Sequence, residues 1–126
     1  MKSLTTSNFR LAGKHPGAVS IANTSRWYRV QRYLPLVPPW AWVKASRESR
    51  MSASEFYGRY RLQLQGLDPH QVVEDLERLV DGPEIVMLCW EAPGEYCHRR
   101  IAATWLESEL GIVVPEREVE EPRRKR

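Results

Sequence analysis

A single three-layer α/β domain with a mainly parallel sheet is what this sequence predicts, and three observations lead there. The first is length: 126 residues suffice for one core and are too few for two. The second is order, because helical and strand-like segments alternate from about residue 53 to residue 114, an arrangement that implies parallel pairing through right-handed crossovers. The third is the run Ile85-Val-Met-Leu-Cys-Trp90, too short for a core helix and bounded by Pro93-Gly94, which reads as a buried strand leading into the next helix.

The elements follow in order. Ala18 to Ala22 is a short β-prone segment that begins after His15-Pro-Gly17 and ends at the turn-formers Asn23-Thr-Ser25. Between Ser25 and Val43 the prolines at 35, 38 and 39 disfavour a regular helix, and the aromatics at 27, 28, 33, 40 and 42 mark a long aromatic-lined loop. Ser52-Ala-Ser-Glu55 has the form of a capping box, and Phe56, Tyr60, Leu64 and Leu67 continue it at helical spacing, which predicts a helix over 53–65. Asp68 with Pro69 opens a second helix, whose stripe of Val72, Val73, Leu76, Leu79 and Val80 stops at Gly82-Pro83. A strand over 84–90, a helix over 97–110 closed by Gly111, and a final strand over 112–114 complete the expected domain, residues 1–115. The segment 116–126, rich in both charges and poor in apolar residues, is expected to be a flexible tail.

Composition narrows the function. No run of 18 apolar residues and no charged-then-apolar leader is present, so a membrane span and a signal peptide are not expected, and the cytoplasm is the expected compartment, with both cysteines reduced. The net charge of +3 hides a division: residues 1–66 carry 11 Lys/Arg against Glu48 and Glu55, a balance of +9, and residues 67–126 carry 8 bases against 14 acids, a balance of −6. In Arg26-Trp-Tyr-Arg-Val-Gln-Arg-Tyr33 guanidinium groups alternate with rings, a pattern suited to phosphates and stacked bases, unless the rings are simply core and the arginines solvated.

Reactive groups concentrate at the junction after Trp90. Cys97, His98 and Arg99 fall at the start of a helix, where unpaired N–H groups and the helix dipole favour anions. There Cys97 is a candidate nucleophile with a depressed pKa, against the ordinary case of a packed thiol. Glu91 and His98 are candidates for proton transfer, with a solvated turn residue as the alternative for Glu91. Arg99 reads as an anion ligand or as an ion-pair partner of Glu91 or Glu95. Cys89, Cys97 and His98 have poor metal-site spacing and lack a fourth ligand, so neither zinc nor any cofactor is expected.

Leu88-Cys-Trp-Glu-x-Pro-Gly-Glu-Tyr-Cys-His-Arg99, leading into Ile101-Ala-x-x-Trp-Leu106, closely resembles the signature of the domain of unknown function 488 family, and Val19-Ser-Ile-Ala22 and Arg32-Tyr-x-Pro-Leu-x-Pro-x-Trp40 resemble two further blocks of it. The resemblance covers roughly residues 5–115 and implies a compact Rossmann-like domain with a pocket near the Cys-His-Arg segment. Where relatives carry an arginine after the Ser-Ile-Ala block this chain has Asn23, and Arg26 is the candidate replacement. The resulting expectation is an enzyme, a hydrolase or transferase, acting on a phosphate-bearing small molecule such as a nucleotide, or on a nucleic-acid-derived substrate. Glu91, Cys97 and His98 would carry the chemistry, and Ser20, Arg26, Trp27, Arg32, Tyr33 and Arg99 would bind the substrate. The alternative is a noncatalytic nucleic-acid-binding or regulatory module using the same basic, aromatic face, and the sequence leaves the oligomeric state open.

Overall fold

The computed structural model describes residues 2–90 and 98–117. The four strands are β1 (Ser3–Asn8), β2 (Ala18–Ser20), β3 (Gln31–Arg32) and β4 (Glu84–Cys89), all parallel, in the order β1-β4-β2-β3. Five helices accompany them: α1 (Phe9–Ala12), α2 (Trp40–Arg47), α3 (Ala53–Gln65), α4 (Pro69–Leu79) and α5 (His98–Leu110). This is the expected α/β domain with a parallel sheet, consistent with a Rossmann-like three-layer arrangement. β4 lies between β1 and β2 and packs a hydrophobic cluster on each face, Ile85 and Met87 on one and Val86 and Leu88 on the other, which is why its sequence is apolar at successive positions instead of alternating.

The two faces differ in thickness. Ile85 and Met87 join Leu4, Val19 and Ile21 in a core against Tyr60, Leu64, Val72, Leu76, Ala102 and Leu106 of α3, α4 and α5. On the other face Val86 and Leu88 meet Phe9, Ala12, Ala18 and Ala22, with Tyr28, Val30 and Trp90 packed at the edge. That second layer has only the four-residue α1 as regular structure, and aromatic rings supply the rest of its bulk.

The helix signals act as expected. Ser52 Oγ accepts from the Glu55 N–H at 3.0 Å, and Asp68 Oδ1 accepts from the His70 N–H at 3.0 Å. Gly111, at φ 67, ends α5 in the left-handed conformation that glycine adopts without strain. Gly17 is required for a different reason: a Cβ there would lie 1.8 Å from the Glu84 carbonyl oxygen, where the chain crosses the start of β4.

Three expectations need correction. Residues 3–8 form β1, although only Leu4 among them is strongly apolar. The strand is held by its ladder with β4 and by side-chain bonds at some of its polar positions, as when Thr6 Oγ1 donates to Glu116 and accepts from Arg100, although the buried Ser7 Oγ has no hydrogen-bond partner among the described residues. The segment read as loop to Val43 contains β3, a 3-10 turn over Leu34–Leu36 and the first half of α2. Prolines 38 and 39 precede that helix instead of interrupting it, and Pro39 serves as its N-cap. The strand expected over 112–114 does not form. The chain instead runs beside β1, bridging it once at Thr6 and Glu116, with the Thr6 N–H donating to the Pro115 carbonyl at 3.0 Å. Glu116 and Arg117, assigned above to the tail, are therefore docked on the domain; the rest of the tail lies outside the described residues.

Candidate functional site

The carboxyl ends of the strands gather the site. Beyond β2 the chain continues through Ile21 to Thr24, and beyond β4 it continues to Trp90; the two exits are tied together where the Trp90 Nε1–H donates to the Thr24 carbonyl at 2.8 Å. His98, the first residue of α5, closes the third side, with Nε2 2.7 Å from the Ile21 carbonyl oxygen. Segments 66 and 77 residues apart in sequence thus meet at one sheet edge, the usual ligand position of open α/β folds. Cys89 ends a central strand and His98 begins the following helix, as the motif predicted; Glu91 and Cys97 lie outside the described residues.

A cavity of about 150 Å³ opens at this edge, with walls that include Asn23, Thr24, Trp40, Arg47, Tyr57, Trp90 and His98. It is smaller than the roughly 300–1,000 Å³ that holds a drug-sized ligand, and so suits a single ring or a small anionic group. A larger groove of about 460 Å³ lies between α3 and α5, but its lining, which includes Arg61, Arg100, Trp105 and Glu109, has no imidazole or thiol.

His98 is partly buried, its ring edge-on to Tyr60 at 5.2 Å. A carbonyl oxygen only accepts, so Nε2 must carry the proton in its bond to Ile21, which leaves the ring lone pair on Nδ1. Burial lowers the pKa to about 4, opposed by the Ile21 bond and assisted by the neighbouring Arg99 charge. His98 is therefore neutral near pH 7 and equipped to accept a proton.

The other sequence candidates divide. Arg26 has a left-handed φ of 52, and its guanidinium lies 4.9 Å from the centre of the Trp90 ring. Arg32 reaches back to the same loop, donating from Nη2 to the Asn23 carbonyl at 2.8 Å, which makes it a brace for the pocket rim. Trp27 is exposed and stacks on Tyr28. Ser20 is buried in β2, where its Oγ accepts from the Ala22 N–H at 3.2 Å. Tyr33 is buried as well; its hydroxyl donates to Asp75 Oδ2 at 2.7 Å, and burial followed by the Asp75 carboxylate raises its pKa. None of Ser20, Arg26, Trp27, Arg32, Tyr33 and Arg99 is among the described pocket-lining residues; Arg26 comes nearest in role, because it lies on the ring of Trp90, which does line the pocket.

Arg99 takes the ion-pair alternative given for it, and its carboxylate partner among the described residues is Glu116. Arg99 is 0 % exposed, and Nε and Nη2 donate to the two Glu116 carboxylate oxygens at 3.0 and 2.7 Å, a bidentate ion pair. Burial pushes the Glu116 pKa up, but the hydrogen bonds and charge of Arg99 outweigh it and hold the carboxyl below its usual value. Arg99 Nη1 also lies 3.0 Å from Cys89 Sγ, and Cys89 is disulfide-bonded, which corrects the expectation of reduced thiols. An arginine so bound is part of the scaffold under the site, and it cannot face Arg26 across the pocket.

Sequence reasoning missed Arg47, Tyr57 and Phe9. Arg47 ends α2 with its guanidinium 5.5 Å from the centre of the Trp40 ring, and Phe9 stacks on Trp90 at 4.2 Å from the start of α1. The first lies in a helix whose opening half was read as loop, and the last lies in a stretch to which the sequence reading assigned no element; Tyr57 sits in a correctly read helix but off its apolar stripe. Among the described residues no group of three His, Cys, Asp or Glu side chains is placed to hold a metal ion, and no helix is long and apolar enough to cross a membrane.

The family model described as the active DUF488-N3 subclade matches residues 11–110. No curated protein and no solved structure matches the chain.

Proposed function

This chain belongs to the DUF488 family, in its active DUF488-N3 subclade, and on that premise we propose that it is a hydrolase or transferase acting on a phosphate-bearing nucleotide or a nucleic-acid-derived substrate, with His98 as the proton acceptor. The observation that carries the proposal is the His98 imidazole in the pocket wall, its Nε2–H committed to the Ile21 carbonyl and its pKa held at about 4. A histidine kept neutral and in one tautomer has a defined orientation toward an attacking water or hydroxyl, and its lowered pKa makes it a weaker base than a free imidazole. Trp40, Tyr57 and Trp90 supply flat walls for a base or sugar, and Arg26 and Arg47, each lying on an indole ring, supply charge for a phosphate. Glu91 keeps the role given to it by the motif, as a further acid/base group, whereas a nucleophilic role for Cys97 would require the disulfide at Cys89 to be reduced first.

The test is turnover. Nucleoside 5′-monophosphates, nucleoside diphosphates and a single-stranded hexanucleotide are incubated with the protein and the products are read by mass spectrometry, with binding followed by tryptophan fluorescence. His98→Gln retains a donor for Ile21 but no basic nitrogen, and is expected to bind normally and to lose roughly 10²–10⁴-fold in rate. Turnover unchanged in His98→Gln overturns the assignment of the base. Binding without turnover by the unaltered protein overturns the enzyme reading in favour of the noncatalytic module.

A further inference from the structure

We propose that the substrate is presented as a single strand, with one residue in the pocket and the face of Trp27 as the platform for a neighbouring base. The inference rests on the reading above and narrows its substrate class. Trp27 is 75 % exposed, the most exposed of the large aromatic side chains singled out by burial, yet it is not a loose side chain. Its ring stacks on Tyr28 at 6.1 Å and 26°, Tyr28 packs against Trp90 at 6.0 Å and against Phe9 at 5.4 Å, and Phe9 stacks on Trp90 at 4.2 Å. An aromatic shelf therefore runs from a pocket wall to the surface, and its outer end is a ring with one face on Tyr28.

Charge follows the same course. Arg26 and Arg29 flank Trp27 closely in sequence and are exposed, Arg47 stands at the pocket, and among the described residues no carboxylate pairs with any of the three. Exposed arginines beside an exposed aromatic ring are the arrangement that tracks a phosphate backbone while stacking its bases. A free mononucleotide would fill the pocket and make no use of a ring two contacts away from Trp90. A duplex keeps its bases stacked on one another and has no ring faces to offer except at its ends. A single strand uses both features.

The experiment compares deoxythymidine 5′-monophosphate, uridine 5′-monophosphate, the hexamers dT6 and U6, and a blunt twelve-base-pair duplex by isothermal titration, on the unaltered protein and on Trp27→Ala. The mononucleotides report the pocket alone, so their failure to bind, together with that of the hexamers, overturns the proposed function itself. If they bind, the strand inference expects at least one hexamer to bind tenfold or more tightly than its mononucleotide and the duplex to bind more weakly. Trp27→Ala should then weaken hexamer binding by roughly five- to a hundredfold, the range expected for one lost base stack, and leave mononucleotide binding unchanged. Hexamers no tighter than mononucleotides, or equal affinities in Trp27→Ala, overturn the strand inference and leave the pocket reading standing. Because Trp27 is exposed, its variant should melt with the unaltered protein, which excludes misfolding as the cause of a loss.

Discussion

Two groups of arginines in this molecule have had opposite fates. Arg99, at the start of α5, and Arg117, in the strap of chain that runs beside β1, are each bound to a carboxylate: Arg99 to Glu116, and Arg117 to Glu84, which also faces His15. Arg26 and Arg47, at the rim of the pocket, lie on the indole rings of Trp90 and Trp40 with no carboxylate partner among the described residues. Chemically the side chains are identical. A guanidinium removed from water must be neutralised by the fold, and once neutralised it has little charge left for a ligand. A guanidinium on an aromatic surface stays hydrated on its other side and keeps its charge available. Proximity to a reactive motif is therefore a poor guide to binding, and the partner of each arginine is a better one.

The sharpest way to break this comparison is Arg99→Ala. It leaves Glu116 without its bidentate partner and opens a void under α5, and losing one member of a buried pair costs about 3–5 kcal/mol. Chemical denaturation at pH 7 should show a loss of that order. A loss under about 1 kcal/mol would mean that Arg99 is free to serve the site after all, and that the division between strap and rim is false.

Acid should produce the next largest effect, and His98 sets its window. Its folded pKa of about 4 lies below the ordinary value near 6.5, so between those two pH values the unfolded chain binds a proton that the folded chain does not. Stability is therefore undiminished by this group above about pH 6.5 and falls as pH drops toward 4, by roughly 3 kcal/mol at most. The carboxyls of Glu116 and Glu84, where the pull of their arginines outweighs burial, extend the loss as pH falls through their own depressed values. His98→Gln should flatten the stability profile between pH 6.5 and 4 and leave the lower limb in place. A profile unchanged by that substitution would place the protonation elsewhere, and would remove the case for a neutral imidazole at the site.

Legibility in the sequence followed the range of the forces involved. α3, α4 and α5 were readable because their determinants are local: a cap, a stripe at helical spacing, a glycine stop. β4 was readable because a strand covered on both faces must be apolar throughout. β1 was not, since its burial depends on Arg100 and Glu116 satisfying Thr6 from more than 90 residues away. α2 was obscured by the prolines in front of it. For the candidate site, the motif led to His98 and to the junction of the two loops, both formed by chain direction and sheet order. It could not reveal that Arg99 turns inward, because Glu116 lies in a stretch whose composition reads as solvated.

The smallest expected effect on stability sharpens the other half of the comparison. Arg47 is exposed at the end of α2, and the contacts that fix it are the Trp40 ring and solvent, so Arg47→Ala removes a surface cation–π contact of about 0.5–1 kcal/mol and no buried partner. The loss should be about a third or less of that in Arg99→Ala under identical conditions. Ligand binding should show the reverse order. Removing a rim charge should weaken any phosphate-bearing ligand and reduce the dependence of its affinity on salt, because one fewer ionic contact is made when it binds. Nucleoside diphosphate titrations at two salt concentrations, on Arg47→Ala and the unaltered protein, measure both quantities. If affinity and salt dependence are unaltered, the Trp40–Arg47 pair is a surface stack with no part in binding, and an unpartnered rim arginine loses its value as a marker of the site.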